Sequence, residues 1–416
     1  MSQMKSLGML VLAIGLVFFT VQMSGPILSL LALDMAKTFL PDSFAPGTSL
    51  ATQKAAVGIV KQTGTINSIF EVVAAVALSF LAIRFRHKSL LLAGVGLVLI
   101  SAIGSYFAPT LTIMQVFFAL EGFGTVMVLA MGYTMVGEHV PVRKKAKVTS
   151  YIVAIGYVAG IIGVIILNRI TNFGGWRLNF LIFTLPVSAL SLTLALFILP
   201  KTQNKNFGSS AKERNVYWAT FRQILKNRSA VFYLIGYMVF GMVVTGSFAL
   251  PFYMQEFGLS LDFVTLISLG VALTTVISAL IMGRVIARKG AKILILASAV
   301  LDGALTMIFF SMPSYPLAIT LDMVHIWMYS TVLVGFAALA LDQVPEGRGT
   351  FLSIRSMFLY IGAAIGAAIG ATLLTALASY QVIGVVLGVI SIAIVPFILM
   401  VKDTTKRPST PETSVV

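Results

Sequence analysis

Twelve runs of about twenty mostly apolar residues, joined by short polar turns, constrain this sequence more than any other feature. A helix needs roughly 20 residues to cross the hydrocarbon core of a bilayer, and each run is close to that length. The chain is 58% hydrophobic and 10% charged, whereas soluble domains are about 25% charged. We therefore predict an all-α membrane protein with twelve transmembrane helices. The predicted spans are residues 8–31, 62–83, 89–107, 111–136, 148–168, 178–199, 230–252, 263–283, 291–311, 316–339, 352–375 and 379–401.

The two halves of the chain share landmarks at a constant distance of 204 residues. A basic turn at residues 84–88 follows the second apolar run, and a second basic turn at residues 288–292 follows the eighth. The same distance separates the Val-Pro pairs at residues 140–141 and 344–345. A constant offset at separate landmarks indicates two related halves, which is typical of membrane carriers built from repeats.

The repeat predicts two bundles of six helices each. The predicted domains are residues 1–200 for the N-terminal bundle, 201–229 for a cytoplasmic linker, 230–401 for the C-terminal bundle and 402–416 for a disordered cytoplasmic tail. Residues 32–60 are predicted to form the only long loop on the outer side. This organisation leaves no room for a large soluble domain, so a receptor or scaffold function is not favoured.

The basic residues predict the orientation in the membrane. If both termini lie in the cytoplasm, most Lys and Arg residues fall in cytoplasmic segments, as the positive-inside rule requires. The net charge of +15 is then explained by topology and by anionic lipid headgroups, so no nucleic-acid partner is predicted. We predict a monomeric, multi-pass plasma-membrane protein. The basic residues outside this pattern are Lys37, Lys54, Lys61, Arg169 and Arg177.

The sequence lacks the residues that most catalytic sites need. It has no cysteine and three histidines, which excludes thiolate chemistry and disfavours a histidine metal site. The glycine pattern at residues 362–366 lies inside an apolar run, so it indicates helix packing and not a phosphate-binding loop. We predict neither an enzyme nor a bound cofactor or metal, and we expect a proton gradient to supply the energy.

The six-plus-six arrangement, the basic central loop and the duplicated basic turns resemble the major facilitator superfamily over essentially the whole chain. Its signature after the second helix reads Gly-x-x-x-Asp-Arg-x-Gly-x-Lys/Arg, and residues 283–292 match it except for the acid. The first copy is more eroded. Residues 175–180 resemble the start of the sixth helix in the drug-efflux branches. The resemblance implies alternating access and a latch between bundles formed by Arg84, Lys88, Gly283, Arg288, Gly290 and Lys292.

Two departures from the family separate this chain from its antiporters. The Gly-Pro pair of the antiporter signature has Ile161 after Gly160. The arginine that precedes the Gly-x-Gly of the fourth helix is Phe118. The direction of transport therefore stays open on this pattern.

Small residues recur in the fifth and eleventh apolar runs. Gly156 and Gly160 lie four residues apart, as do Gly362 and Gly366. Small residues at this spacing let helix backbones approach closely in lipid. We interpret these positions as helix-packing sites, where helices slide during alternating access or simply pack.

Ionisable residues within apolar runs are costly and usually functional. Helices 1, 4, 7 and 10 line the central cavity of the resembled family, which favours Glu121, Asp322 and His325. Glu121 and His325 are 204 residues apart, so they occupy equivalent positions and are expected to approach each other. Burial favours the neutral form of a carboxylate, which is the property that proton uptake needs. We predict Glu121 as the main proton carrier, Asp322 and His325 as its counterpart, and Glu71 as the alternative.

The remaining ionisable and aromatic residues complete the predicted cavity. Asp302 is interpreted as a structural partner, because the ninth helix is peripheral in the resembled family. Arg355 is interpreted as a topological or substrate-binding cation near the cytoplasmic end of its run. The absence of Lys and Arg from the first and seventh runs favours a neutral or cationic substrate. The predicted cavity residues are Gln22, Phe118, Tyr233, Tyr237, Trp327 and Tyr329.

The sequence thus favours a proton-coupled exporter of lipophilic or cationic small molecules, resembling the multidrug drug:proton antiporter branches. The alternative is a proton symporter or facilitator that takes up a small nutrient such as a sugar or an amino acid. In either case the predicted partners are the lipid bilayer, protons and a small-molecule substrate.

Overall fold

The computed structural model describes residues 2–140, 142–200, 222–340, 343–344 and 348–403. This part of the chain is helical and has no β-strand. The predicted linker, apart from residues 222–229, and the predicted tail, apart from residues 402–403, lie outside the described residues.

The described helices number fifteen when a break within an apolar run is counted as a boundary. They are α1 (Ser2–Leu30), α2 (Ala32–Phe39), α3 (Leu50–Arg84), α4 (His87–Phe107), α5 (Leu111–His139), α6 (Val142–Gly174), α7 (Leu185–Ile198), α8 (Arg228–Gly241), α9 (Thr245–Glu256), α10 (Leu261–Lys289), α11 (Ala291–Phe309), α12 (Tyr315–Ala340), α13 (Arg348–Leu377), α14 (Tyr380–Ile392) and α15 (Ile394–Leu399). A π-helical turn at Asn179–Thr184 leads into α7.

Ten stretches of the described chain are helical, long and apolar enough to cross a bilayer. The other two predicted spans lie in α3 and α6, which have 35 and 33 residues. Within α6, Val158–Gly174 is a shorter apolar stretch. The prediction of an all-α membrane fold is confirmed.

The predicted outer loop at residues 32–60 is partly helical, which corrects the sequence-based boundary. It contains α2 and the first turns of α3. Ser49 caps α3, because its side chain accepts a hydrogen bond of 3.2 Å from the Thr52 N–H. The first turns of α3 include polar residues such as Gln53 and Lys54, so hydropathy alone does not reveal that they are helical.

The helices repeat with the offset found in the sequence. The starts of α4 and α11 are 204 residues apart, as are those of α5 and α12. Equivalent helices also have equivalent neighbours: α1 packs on α6 and α7, whereas α8 packs on α13 and α15. Likewise α3 and α4 pack on α5, whereas α10 and α11 pack on α12. The two halves contact each other mainly where α3 meets α13 and where α6 meets α10.

Glycines allow one of these helix contacts to be especially close. A Cβ on Gly362 or Gly366 would collide with the backbone of Met238 or Met242, so α13 and α8 touch nearly backbone to backbone. In contrast, no described atom lies within 4 Å of a Cβ built on Gly160. The packing role of Gly160 stays a prediction.

The helix ends define two sides of the molecule. We call the side with Lys88 and Lys292 the basic-turn side, and the side with Lys54, Glu256 and Asp262 the far side. The positive-inside pattern predicts that the basic-turn side is cytoplasmic. The exact bundle boundaries and the placement of the termini stay predictions.

The described buried apolar residues form three clusters. The cluster on the far side contains residues of both halves, among them Ile27, Val57, Phe248 and Phe252. On the basic-turn side the buried residues divide into one cluster of N-terminal residues and one of C-terminal residues. The halves therefore share a continuous apolar core on the far side, which is closed in this conformation.

Candidate functional site

Lys88 and Lys292 hold corresponding helix ends on the basic-turn side. Lys88 Nζ donates hydrogen bonds to the carbonyls of Leu196, at 2.7 Å, and Leu199. Lys292 Nζ donates to the carbonyls of Leu399 and Val401 at 2.7 and 2.8 Å. A cation at a helix C-terminus satisfies free carbonyls and the negative end of the helix dipole.

The rest of the predicted latch is less constrained. Arg84 and Arg288 are exposed, and Gly290 has a φ of 89°, a conformation that favours glycine. Gly283 has no described atom near its missing Cβ. An acid of another helix contacts the first basic turn, since His87 Nδ1 lies 2.8 Å from Glu138 Oε1 on α5. The latch role itself stays a prediction.

Glu71 and Glu121 come together between α3 and α5. Gly122 makes this possible, because a Cβ there would collide with the Asn67 carbonyl on α3. Asn67 also donates a hydrogen bond of 2.8 Å to the Phe118 carbonyl, which fixes the two helices in register. Glu71 lies one turn beyond Asn67, and Glu121 precedes Gly122, so the close approach places both carboxyl groups within electrostatic range.

The environment of this acid pair is mostly apolar. Glu121 is 7% exposed and Glu71 is half-buried. Glu71 interacts with the Ser68 side chain and, electrostatically, with Tyr360 on α13 of the other half. Glu71 and Glu121 therefore interact as like charges in a mostly apolar environment.

A second ionisable group lies entirely in the C-terminal half. His325 Nε2 is 3.4 Å from Asp302 Oδ1, and His325 Nδ1 is 3.6 Å from Asp322 Oδ1. Ser391 donates to Asp302 at 2.7 Å, and Tyr253 donates to Asp322 at 3.1 Å. The histidine and both aspartates are at most 3% exposed. They form a buried chain from α9 through α12 and α11 to α14.

This arrangement bears on two predictions, the role of Asp302 and the approach of Glu121 to His325. Asp302 was expected as a structural partner, and it is the carboxylate closest to His325. The face of α12 with Asp322 and His325 contacts α11 and α9 of its own half. The described ion pairs of His325 are with these two aspartates, whereas Glu121 interacts with Glu71. The proposed approach of Glu121 and His325 stays a prediction.

The predicted aromatic cavity residues differ in exposure. Phe118 is 1% exposed and packs edge-on against Phe180 at 6.2 Å between ring centroids. Tyr233 is fully buried, and its hydroxyl donates to the Phe336 carbonyl at 2.7 Å. In this conformation neither ring is open to a cavity, and their contact with substrate stays a prediction.

Other predicted cavity residues are more accessible. Gln22 is exposed beside Gly156, whose missing side chain leaves space for it. Trp327 and Tyr329 are half-buried, and Tyr329 stacks on Phe240 with centroids 4.8 Å apart. These polar and aromatic positions belong to helices of both halves, as alternating access requires.

Arg355 on α13 interacts with tyrosines. Its Nη2 donates a hydrogen bond of 2.7 Å to the Tyr237 hydroxyl, and its guanidinium lies 4.2 Å from the centre of the Tyr237 ring. Its side chain also interacts electrostatically with Tyr233. No carboxylate in the described ranges lies within ion-pair distance of Arg355.

Lys61 is a buried cation that hydropathy did not reveal. It was expected at the outer edge of the second span, but it is 6% exposed. Its Nζ donates to the Leu28 carbonyl at 3.4 Å and lies 5.2 Å from the ring centre of Phe248 in the other half. The sequence could not show this burial, because it results from tertiary contacts of Lys61 with α1 and α9.

Polar contacts between the halves close the far side. Lys54 Nζ is 2.5 Å from Glu256 Oε1. Asn168 and Asn172 donate to Asp262 Oδ1 at 2.7 and 3.0 Å. Each contact joins a residue of the N-terminal half to one of the C-terminal half, so opening of this side has to break all three.

The sequence and the fold were compared with known proteins. The Major Facilitator Superfamily model matches residues 10–250 and 234–415. An uncharacterized MFS-type transporter of Bacillus subtilis (strain 168), YwoD, is 32% identical over 128 residues. That match covers 29% of this chain and 26% of the relative.

Solved structures share the fold at low sequence identity. The crystal structure of a D-xylose–proton symporter has a TM-score of 0.76 at 15% identity, with 97% of this chain and 99% of that chain covered. The nucleoside transporter NupG has a TM-score of 0.71 at 15% identity, with 94% and 100% covered. The xylose transporter XylE of E. coli, in a partially occluded inward-open conformation, has a TM-score of 0.72 at 14% identity, with 98% and 100% covered. With two sequence matches that together span nearly the whole chain and a helical fold of this kind, the protein belongs to the major facilitator superfamily.

Proposed function

We propose that this protein is a proton-coupled exporter of lipophilic organic cations. The observation that supports this proposal is the Glu71–Glu121 pair in a largely apolar setting at the interface of α3 and α5. Membership of the superfamily supports secondary transport by alternating access; the coupling, direction and substrate class are further parts of the proposal.

An acid pair can couple proton movement to cation movement, because a proton and a cationic substrate compete for the same site. When the site is empty, repulsion between the two carboxylates favours binding of a proton. A cationic substrate supplies the same positive charge, so its binding releases the proton. Each form of the carrier then has a similar buried charge, which lowers the cost of closing the halves around the site. We assign the exchanged proton to Glu121, the more buried acid, and the electrostatic partner role to Glu71.

The reverse arrangement, proton symport of a nutrient, is the second candidate. It is favoured by the departures from the antiporter patterns, Ile161 after Gly160 and Phe118 before the Gly-x-Gly. In that case substrate and proton bind together, and substrate uptake into a vesicle acidifies the lumen.

Proton movement in liposomes tests the proposal. The purified protein is reconstituted with a pH-sensitive dye in the lumen, and gradients of lipophilic cations, sugars and amino acids are imposed. We expect protons to move against a lipophilic cation, and we expect Glu121→Gln to abolish this flux. Asp42→Asn is the matched control, because Asp42 is an exposed acid on the far side.

The outcomes separate the candidates. Proton movement in the same direction as a sugar or amino acid would establish symport. Substrate movement without proton flux would reduce the acid pair to a binding or structural role. Unchanged cation exchange in Glu121→Gln would remove Glu121 as the proton carrier.

A further inference from the structure

Arg355 is a membrane-embedded cation whose charge is not neutralised by the described residues. It is the second residue of the apolar stretch Ile354–Leu377, and it is half-buried. A charge at such a position is costly unless a countercharge or water accompanies it. The partners of Arg355 are the hydroxyls and ring faces of tyrosines, which are neutral. Its Nε is buried and has no hydrogen-bond acceptor.

Tyrosines hold the guanidinium in one orientation. Tyr237 both accepts a hydrogen bond from Arg355 and stacks beneath it, and Tyr237 in turn stacks on Tyr233 with centroids 6.0 Å apart. A guanidinium fixed by a stacked ring loses little entropy when an anion binds to its remaining donors. The planar fork of donors matches a carboxylate or a similar planar anion.

The same tyrosines connect Arg355 to the acid pair. Tyr237 interacts electrostatically with Tyr360, which also interacts with Glu71 and Tyr133. Tyr360 belongs to α13 but packs against the apolar cluster of the N-terminal half. Tyr360 therefore lies within electrostatic range both of Tyr237, the hydrogen-bond partner of Arg355, and of Glu71 in the other half.

We propose that the substrate is a zwitterion, an organic ammonium that also has a carboxylate, bound with its cationic group at Glu71 and Glu121 and its anionic group at Arg355. This inference rests on the proposed cation–proton exchange at the acid pair and adds the group that Arg355 recognises. A zwitterion would attach to both halves at once, so its presence would favour the conformation in which the halves close around it.

Three ligands with one scaffold test this inference. The probes are 8-aminooctanoic acid, its methyl ester and its N-acetyl derivative, which are a zwitterion with well-separated charges, a cation and an anion. Binding to the purified protein is measured by calorimetry, together with proton release in weakly buffered solution. Because charge-assisted hydrogen bonds are among the stronger polar contacts, we expect the zwitterion to bind roughly tenfold more tightly than the ester.

Variants of Arg355 assign the effect. Arg355→Gln is expected to remove the preference for the zwitterion and to leave the affinity for the ester nearly unchanged. Arg355→Lys keeps the charge without the fork and is expected to keep part of the preference. Tyr237→Phe keeps the ring but removes the hydroxyl that orients Arg355, so an intermediate loss is expected. Arg284→Gln is the matched control, since Arg284 is an exposed arginine on α10. Monodispersity on size exclusion verifies that each variant is folded.

The results distinguish this inference from the proposed function. Proton release on binding of the ester, with no advantage for the zwitterion, would support exchange at the acid pair and overturn the role of Arg355. An Arg355-dependent preference without proton release would support zwitterion recognition and overturn the exchange mechanism. If Arg355→Gln weakened all three ligands equally, Arg355 would be a structural residue and the inference would fail.

Discussion

Lys88 and Lys292 lie 204 residues apart and make the same contact in the two halves of the molecule. Each extends from the start of one helix to the carbonyls that end another, Leu196 and Leu199 in one case and Leu399 and Val401 in the other. The two halves thus share this physical contact as well as the sequence pattern.

We expect Lys292→Met to destabilise the protein by about 1–2 kcal/mol, because charge-assisted hydrogen bonds to helix-terminal carbonyls are lost and water replaces them only in part. The thermal unfolding temperature in detergent measures the effect. Lys289→Met is the matched control, since Lys289 is an exposed lysine in the same turn. Equal unfolding temperatures for the two variants would show that the capping contact contributes nothing.

Glu256→Gln is expected to open the far side more often, because it removes the charge that pairs with Lys54. The chain has no cysteine, so a single cysteine at Ile27, which is 1% exposed in the far-side cluster, reports on accessibility. We expect an impermeant maleimide to label this cysteine several-fold faster in Glu256→Gln than in the parent. The charge exchange Lys54→Glu with Glu256→Lys should restore slow labelling; failure to do so would point to a cause other than the ion pair.

Asp302→Asn is expected to cost about 3 kcal/mol of stability, because removal of one member leaves buried polar partners uncompensated. Ser391→Ala removes one hydrogen bond to the same carboxylate and is expected to cost roughly 1 kcal/mol. Unfolding curves in denaturant compare the two with the parent. A smaller loss in Asp302→Asn than in Ser391→Ala would contradict a structural role for the aspartate.

Gly366→Val is expected to prevent correct packing of α13 on α8, because any Cβ there collides with the backbone of Met242. The yield of monodisperse protein should fall strongly. Gly160→Ala serves as the comparison, since open space surrounds that position in the described structure, and it should be tolerated. A similar loss of yield in both variants would mean that the packing of α6 also depends on Gly160.

The fold was largely predictable, because the length of an apolar run and the side of its basic flanks have one dominant physical cause, the thickness and charge of the bilayer. Hydropathy did not reveal the helices of the predicted outer loop, which are α2 and the first turns of α3. It also missed the break in the seventh span between Gly241 and Thr245. At this break Gly366 of α13 packs on the backbone of Met242, a contact that hydrophobic periodicity does not reveal.

The candidate site was predictable by residue type but not by pairing. Glu71 and Glu121 were both identified, yet their proximity depends on Gly122 and Asn67, which bring α3 and α5 together. Asp302 was undervalued because every face of these helices is apolar, so periodicity could not show which face meets His325. The contact of Arg355 with Tyr237 likewise depends on packing between distant segments.

The apolar core on the far side is continuous across both halves, and this favours one conformation of the protein when no ligand is bound. Opening that side exposes contacts between Ile27, Val57, Phe248 and their neighbours, whereas the basic-turn side has two separate cores that part at lower cost. We therefore expect the ligand-free protein to favour the conformation that is closed on the far side. The positive-inside pattern predicts that the basic-turn side is cytoplasmic, so we expect opening toward the outside to be the less favourable of the two conformational changes.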